Sequence, residues 1–300
     1  MLYLIPTPIG NIADMSLRAL SVLESCDEIL CEDTRIAKKL IALLNARGLL
    51  KKANFGYISL HSHNESTRIA QFEAITKDNN LAQTDNLAQF GDLKNLDADF
   101  FAKNVAYLSD AGTPCVSDPG VKLVAFLQKN DIAYSAISGA CSAVMAFSLS
   151  GFEGAFSFLG FIPHKLNDKR VFLQNMLDSP LHCVIFESPK RILDSLKLLC
   201  EFAPSRRIFI AKELTKMHEK FYFGSVSAVC ETLQGANLKG EWVIVVQGTE
   251  HLGDLKESRG LNKIDIENLD IPPKIKAKLL AKLDGRSPKE CYEEIINAKK

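Results

Sequence analysis

A two-domain α/β protein with a small helical end piece is the fold class this sequence predicts, on three observations. The chain has 300 residues, 47% apolar and 24% charged, enough to bury about three quarters of its unfolded surface and, at roughly 100 to 200 residues per domain, to divide in two. Its first half alternates short apolar strands with amphipathic helices, the pattern of a mainly parallel sheet, and from about Ser150 the strands predominate. After Gly248 the chain turns polar and ends in helical, lysine-rich sequence. The expected division is an N-terminal α/β domain over 1–150, a mixed α+β domain over 151–250 and a helical basic tail over 251–300.

Residues 2–6 read as the first strand, followed by a helix through Leu17, Leu20 and Leu23. Residues 28–31 form the second strand, and Asp33 N-caps a helix that carries Ile36, Leu40, Leu43 and Leu44 and closes at Gly48. Further strands are expected over 57–60, 105–108 and 132–137, with a helix around 69–75. Residues 78–104, rich in Asn, Asp and Gln, read as an inserted excursion of weak structure. In the second half, 156–162, 183–186, 207–211, 220–223 and 242–247 are strands with fewer helices between them. The clearest helix there opens at Ser188-Pro189, an N-cap followed by proline, and presents Ile192, Leu196 and Leu199 on one face. Residues 273–283, stopped by Asp284-Gly285, and a helix opened by the capping box Ser287 to Glu290 make the end piece.

Lys plus Arg number 36 and Asp plus Glu 36, a net charge of zero, so no global field draws the molecule to nucleic acid or anionic membrane. A polyanion must be met by a local patch. Residues 274–300 hold eight Lys/Arg against four Asp/Glu, and that basic cluster reads either as a solvated helical tail or as an RNA-facing surface. The eight cysteines include no CxxC pair and lie in apolar surroundings, which reads as buried thiols in a reducing cytosol. The apolar start stops at Pro6 without a basic region, and no run approaches the roughly 20 apolar residues of a membrane span. A cytoplasmic protein without membrane attachment is expected.

In an open α/β sheet, ligands bind beyond the carboxyl ends of the strands. Here those ends carry Pro6-Thr7-Pro8-Ile9-Gly10-Asn11, Glu32-Asp33-Thr34-Arg35, His61-Ser62-His63-Asn64-Glu65, Ser109-Asp110-Ala111-Gly112-Thr113-Pro114 and Ser138-Gly139-Ala140-Cys141-Ser142. One such loop is ordinary turn chemistry; five at one sheet edge point to a ligand site. Neither GxGxxG nor GxxxxGK[ST] occurs, so the usual dinucleotide and P-loop readings lack their motifs. Glycine lets backbone N–H groups near Gly10 and Gly112 approach a ligand, and Asp110 accepts from hydroxyl or ammonium groups.

Leu4-Ile5-Pro6-Thr7-Pro8-Ile9-Gly10-Asn11, Cys31-Glu32-Asp33-Thr34-Arg35 and the run from Ser109 to Gly120 together resemble the tetrapyrrole-methylase superfamily, and within it the 16S ribosomal RNA cytidine 2'-O-methyltransferases. His63-Asn64-Glu65, Phe186 to Arg191, Ala211 to Lys216 with His218-Glu219, and Gly240-Glu241 follow in that branch's order, over roughly residues 1–250. The resemblance implies a tetrapyrrole-methylase-like fold, often homodimeric, that holds S-adenosyl-L-methionine between its domains and methylates a ribose 2'-hydroxyl of 16S rRNA in the 30S subunit. It maps cofactor binding onto Pro8, Gly10 and Asn11, onto Asp110, Ala111, Gly112, Thr113 and Pro114, onto Ser138, Gly139 and Ser142, and in the second domain onto Phe161, Ile162, Glu213 and Leu214. Two departures concern local loops: residues 78–104 are longer than the family's usual link, and Ala140-Cys141 stand where proline is common.

Methyl transfer needs a donor held in line with the acceptor oxygen and a group that takes the hydroxyl proton. Candidate acceptors are Glu32, Asp33, His63, Glu65 and Asp110, with Asp33 compromised by its capping role. His61 and His63 have no third ligand nearby, so no metal is expected. Arg35, Lys190, Arg191, Lys212 and Lys216, with Lys274 and Lys278 of the tail, are candidate RNA phosphate contacts. Trp242, Phe158 and Phe161 read as core. The rival readings are a tetrapyrrole-precursor methylase and a non-catalytic ribosome-binding assembly factor.

Overall fold

Five parallel strands, β1 (Leu2–Ile5), β2 (Glu28–Cys31), β3 (Gly56–Ser59), β4 (Val105–Leu108) and β5 (Tyr134–Ala136), form the first sheet in the order β3-β2-β4-β1-β5. The computed structural model describes residues 1–77, 99–249, 266 and 271–297. All four residues of β4 are buried, as befits a central strand covered on both faces. The register aligns Ile5, Leu108 and Cys31, and Cys31 with Ser59. The loops that follow these strands therefore share one edge.

The helices of this half are α1 (Leu17–Ser25), α2 (Thr34–Ala46), α3 (Glu65–Lys77), α4 (Val121–Lys129) and α5 (Ser142–Leu149). Asp33 caps α2 as expected, but the buried face is Ala37, Ile41 and Leu44, leaving Ile36 and Leu43 exposed. The helix has more apolar residues than one face holds, and the small Ala37 lets it sit close to the sheet. Helix α5 packs Ala143 and Ala146 against Val184, Phe209, Val243 and Val245 of the second sheet, although it precedes the expected boundary at 150. Most of the 78–104 excursion lies outside the described residues. Its described end holds a 3-10 turn, Phe100–Ala102, whose Phe100 stacks on Phe72 in the core.

The second sheet runs β6-β7-β10-β8-β9, built from β6 (Phe156–Phe161), β7 (His182–Glu187), β8 (Arg207–Lys212), β9 (Lys220–Ser225) and β10 (Trp242–Val246). Only β6 and β7 pair in parallel, so the sheet is mixed. Helices α6 (Leu166–Leu177), α7 (Ile192–Phe202) and α8 (Val226–Leu233) contribute to its outer core. The sequence hid α6 because Lys169 occupies its buried face beside Leu173 and Met176. Helix α7 starts at Ile192 rather than Pro189, because the Ser188 carbonyl accepts from both the Arg191 and Ile192 amides and closes a turn first.

Residues 1–248 and 249–300 form separate compact units. In the latter, helices Pro273–Asp284 and Pro288–Asn297 pack Ala277, Leu280, Ala281 and Cys291 around Ile266. The expected capping box is formed: the Ser287 amide donates to Glu290 Oε2 at 3.1 Å and the Glu290 amide to Ser287 Oγ at 3.2 Å. Lys274, Lys278 and Lys282 are exposed along one helix side. All eight cysteines are free thiols, and burial pushes Cys26 and Cys115 up to about 11 and Cys31 up to about 12, which keeps them protonated. Among the described residues, no helix is long and apolar enough to cross a membrane and no three His, Cys, Asp or Glu side chains are grouped to hold a metal.

Candidate active site

A cavity of ≈ 380 Å³ opens where the carboxyl edge of the first sheet meets the second. From the first half it is lined by Ile9, Asp110 to Thr113, Val116 to Asp118, Cys141 and Ser142. From the second come Phe161, Phe186 to Pro189, Leu214 and Gly240 to Val243. The loop after β4 is pinned to the loop after β1, since the Thr7 amide donates to Gly112 O at 2.9 Å and the Gly112 amide to Thr7 O at 3.0 Å. Thr113 Oγ1 donates to Ala140 O at 2.8 Å, tying in the loop that opens α5. The Gly112 N–H is thereby consumed and does not face a ligand, contrary to the expectation from its glycine alone.

Glu32, Asp33, Asp110 and Asp118, from the loops after β2 and β4, are near enough for their charges to act on one another. Burial raises the pKa of Glu32, with Asp110 and Asp33 adding repulsion. Asp110 is likewise raised by burial, against the Asp33 amide that donates to its Oδ1 at 3.1 Å. Asp118 is pushed up to about 7 by burial, reinforced by the charges of Glu32 and Asp110. Its loop is strained, with Cys115 and Ser117 at φ of 68° and 67°, non-glycine residues in the left-handed region. Such strain costs of order 1–3 kcal/mol per residue and persists where surroundings enforce it. Here Tyr107 Oη donates to Pro119 O at 2.6 Å, and Glu65 Oε1 accepts from the Gly120 and Lys122 amides at 2.9 and 3.0 Å.

The cavity wall contributed by the second sheet rests on a buried ion network. Glu187, whose side chain is fully buried, pairs with Arg191 Nη2 at 2.6 Å and accepts from Ser195 Oγ at 2.6 Å and the Ser188 amide at 2.7 Å. Lys169 Nζ donates to Ser195 Oγ at 2.9 Å. Beyond it, Lys216 bridges Glu213 at 2.9 Å and Glu241 at 3.2 Å. Burial opposes the Lys216 charge, but its hydrogen bonds to the two glutamates outweigh this and raise its pKa, while Lys216 and the Glu241 amide hold Glu213 low despite burial.

The expected cofactor residues divide accordingly. Asp110, Ala111, Gly112, Thr113, Ser142, Phe161 and Leu214 line the cavity. Pro8, Gly10, Asn11, Pro114, Ser138, Gly139, Ile162 and Glu213 do not. Gly10 lies against the 214–216 turn, where a Cβ would stand 2.9 Å from Leu214 O. Asn11 Oδ1 caps a short 3-10 helix by accepting from the Ala13 amide. A Cβ on Gly139 would strike the Pro6 ring, and Ile162 is core. Pro114 is buried and Ser138 exposed, both off the cavity wall.

Of the expected proton acceptors, Glu32 sits in the carboxylate group. Asp33 is spent on its cap and on Arg35, whose hydrogen bonds hold it down at about 2. Glu65 is spent on the Gly120 loop, and His63 is exposed on the loop after β3, its ring 6.1 Å from that of His61. Among the expected RNA cations, Lys190, Lys274 and Lys278 are exposed and Arg35 is exposed but paired with Asp33. Arg191 and Lys216 are held by ion pairs, and Lys212 is buried with its ammonium on Asn237 O and over the Trp242 ring. Asp118, Glu187 and Glu241 lie in the segments that carry the resemblance but were not among the expected site residues, and only tertiary packing brings Asp118 beside Glu32 and Glu187 onto Arg191.

The family model for tetrapyrrole (corrin/porphyrin) methylases matches residues 1–230. Ribosomal RNA small subunit methyltransferase I of Campylobacter fetus subsp. fetus (strain 82-40) is 40% identical, over 99% of this chain and all of its own length. The protein so named from Helicobacter pylori (strain J99) is 38% identical over 100% of this chain and 99% of its own. Among solved structures, a cobalt precorrin-4 methyltransferase superposes with a TM-score of 0.54 at 13% identity, covering 82% of this chain and 94% of that one, a likeness of fold. The chain therefore belongs to the tetrapyrrole (corrin/porphyrin) methylases, in the group of the ribosomal RNA small subunit methyltransferases I.

Proposed function

We propose that this protein transfers the methyl group of S-adenosyl-L-methionine to the ribose 2'-hydroxyl of a cytidine in 16S ribosomal RNA of the 30S subunit. The observation that carries the reading is the ≈ 380 Å³ cavity with Asp110 and Asp118 on its wall, neither in an ion pair among the described residues. The near-full-length relatives, named as ribosomal RNA methyltransferases, support the substrate class.

The lining suits the cofactor. Unpaired carboxylates attract its cationic groups, and Ile9, Phe161 and Leu214 offer apolar surface. Cys141 and Ser142 open α5 with no side-chain cap, so the free first-turn N–H groups favour a carboxylate. When bound, S-adenosyl-L-methionine supplies an activated methyl group on a sulfonium. Asp118 accepts the proton of the 2'-hydroxyl, and burial, reinforced by the charges of Glu32 and Asp110, keeps its proton affinity near neutrality. The strained 115–117 backbone and the Glu65 anchor hold that carboxylate at the cavity wall.

Incubation with labelled cofactor and undermodified 30S subunits, followed by mapping of ribose methylation, tests the reading. A 2'-O-methylcytidine is expected, and label on a base, on a tetrapyrrole precursor only or on nothing overturns it. Ala111→Trp fills the cavity from an exposed position. Calorimetry should show cofactor affinity at least about 100-fold weaker, with stability within about 0.5 kcal/mol of wild type; unchanged affinity means the cofactor binds elsewhere. The same reading has the protein act in the cytoplasm as a homodimer, and sedimentation equilibrium giving a monomer at micromolar concentration removes that part.

A further inference from the structure

A second cavity, of ≈ 430 Å³, has the opposite charge character: Lys212, His218, Lys220, Tyr222, Asn237 and Lys239 line it. Lys212 ends β8 and Lys220 begins β9, and the antiparallel register sets them directly opposite, so both side chains leave the same sheet face. Like charges in that position repel. Lys212 is 7% exposed, and its ammonium finds one hydrogen-bond acceptor among the described residues, Asn237 O, and otherwise faces the Trp242 ring, 5.1 Å from the centroid. An ammonium has three donors, and burying them unfilled is costly. The side chains of His218, Lys220 and Lys239 make no ion pair among the described residues. The one carboxylate among the described residues that line it, Glu213, is already committed to Lys216 and the Glu241 amide.

Only Lys212 of these cations is buried, and an anion in the cavity would meet its unfilled donors together with the exposed Lys220 and Lys239. Gly240 lines both this cavity and the carboxylate-lined one, so the two adjoin. We infer that the second cavity is a subsite for a phosphodiester of the RNA strand whose ribose enters the first cavity. The inference rests on the RNA methyl-transfer reading. It also divides the labour of charge: carboxylates face the cationic donor and lysines face the polyanionic acceptor.

Lys220→Gln combined with Lys239→Gln tests it, both side chains being exposed. Binding of a small-subunit rRNA fragment is measured against salt, together with cofactor affinity and methylation kinetics. The expected result is RNA binding about tenfold weaker near 0.15 M salt and a log–log salt slope lowered by about 1.4, roughly 0.7 for each lost contact. KM for RNA rises, kcat at saturating RNA and cofactor affinity stay as in the wild type. Unchanged RNA affinity, slope and KM with methylation intact overturn the subsite and leave the activity reading standing. If inorganic phosphate perturbs the lysine ammonium resonances of the wild type while the double variant binds RNA normally, the cavity serves a free anion and the RNA assignment falls. A wild type that binds the RNA but transfers no methyl to it overturns the activity reading, and the variant's RNA affinity still decides the subsite.

Discussion

Asp118→Asn is expected to lower methyl transfer by about 10²- to 10⁴-fold, the usual contribution of a positioned proton acceptor, while cofactor affinity changes far less. The amide keeps the size of the carboxyl and fits the same strained loop, so the loss reports chemistry rather than folding. Burial and the charges of Glu32 and Asp110 bring the Asp118 carboxyl up to about 7, so below that pH the acceptor is protonated and lost. kcat/KM of the wild type should rise with pH through about 7, and the variant should lose that limb. Glu32→Gln removes one neighbouring charge and should move the limb to lower pH.

Stability runs the other way. A carboxyl titrates near 3.9 in the unfolded chain, so a folded value near 7 means that folding disfavours the ionised form. The stability associated with Asp118 is therefore present below about pH 4 and lost as pH rises through about 7. At pH 8 the Asn variant should be more stable than wild type by about 1–2 kcal/mol, a figure already discounted for solvent in the open cavity. A variant that is both active and no more stable would exclude Asp118 as the acceptor.

Glu187→Ala is expected to cost about 3–5 kcal/mol of folding stability, the usual result of removing one partner of a buried charge network. The side chain is fully buried and compensates Arg191 directly and Lys169 through Ser195 Oγ. Its removal leaves Arg191 and Lys169 without the anion that faces them among the described residues. Glu187→Leu with Arg191→Leu should recover only the part of the loss that belongs to Arg191, because Lys169 stays buried without its anion. Denaturant midpoints of the single and double variants measure this; a single variant within about 1 kcal/mol of wild type would mean that the network is solvated rather than buried.

The strands of the first sheet were legible because each is a short apolar run bounded by turn residues, and the parallel sheet followed from their alternation with helices. Their shared carboxyl edge was legible for the same reason, and five polar loops there announced a site. Local caps could be read as well: Asp33 on α2 and the Ser287–Glu290 box depend on neighbours in the chain. Helix α6 was hidden, since a lysine on its buried face breaks the apolar period. The start of α7 was misjudged because Ser188-Pro189 makes a turn before the helix rather than its first residues.

Charge was legible only as identity and number. The composition and motifs of this chain determined its two sheets, its small helical end and its membership of a methylase family, all of which follow from local pattern. Which charges are free and which are spent was decided by tertiary structure alone. Arg191 is taken by the buried Glu187, Glu65 by the amides of Gly120 and Lys122, and Gly112 by the carbonyl of Thr7, while Asp118, beside Glu32 and Asp110, has no ion pair among the described residues. The reason is that a charge is silenced by whatever lies within hydrogen-bond reach, and for most of these groups that partner comes from a distant part of the chain.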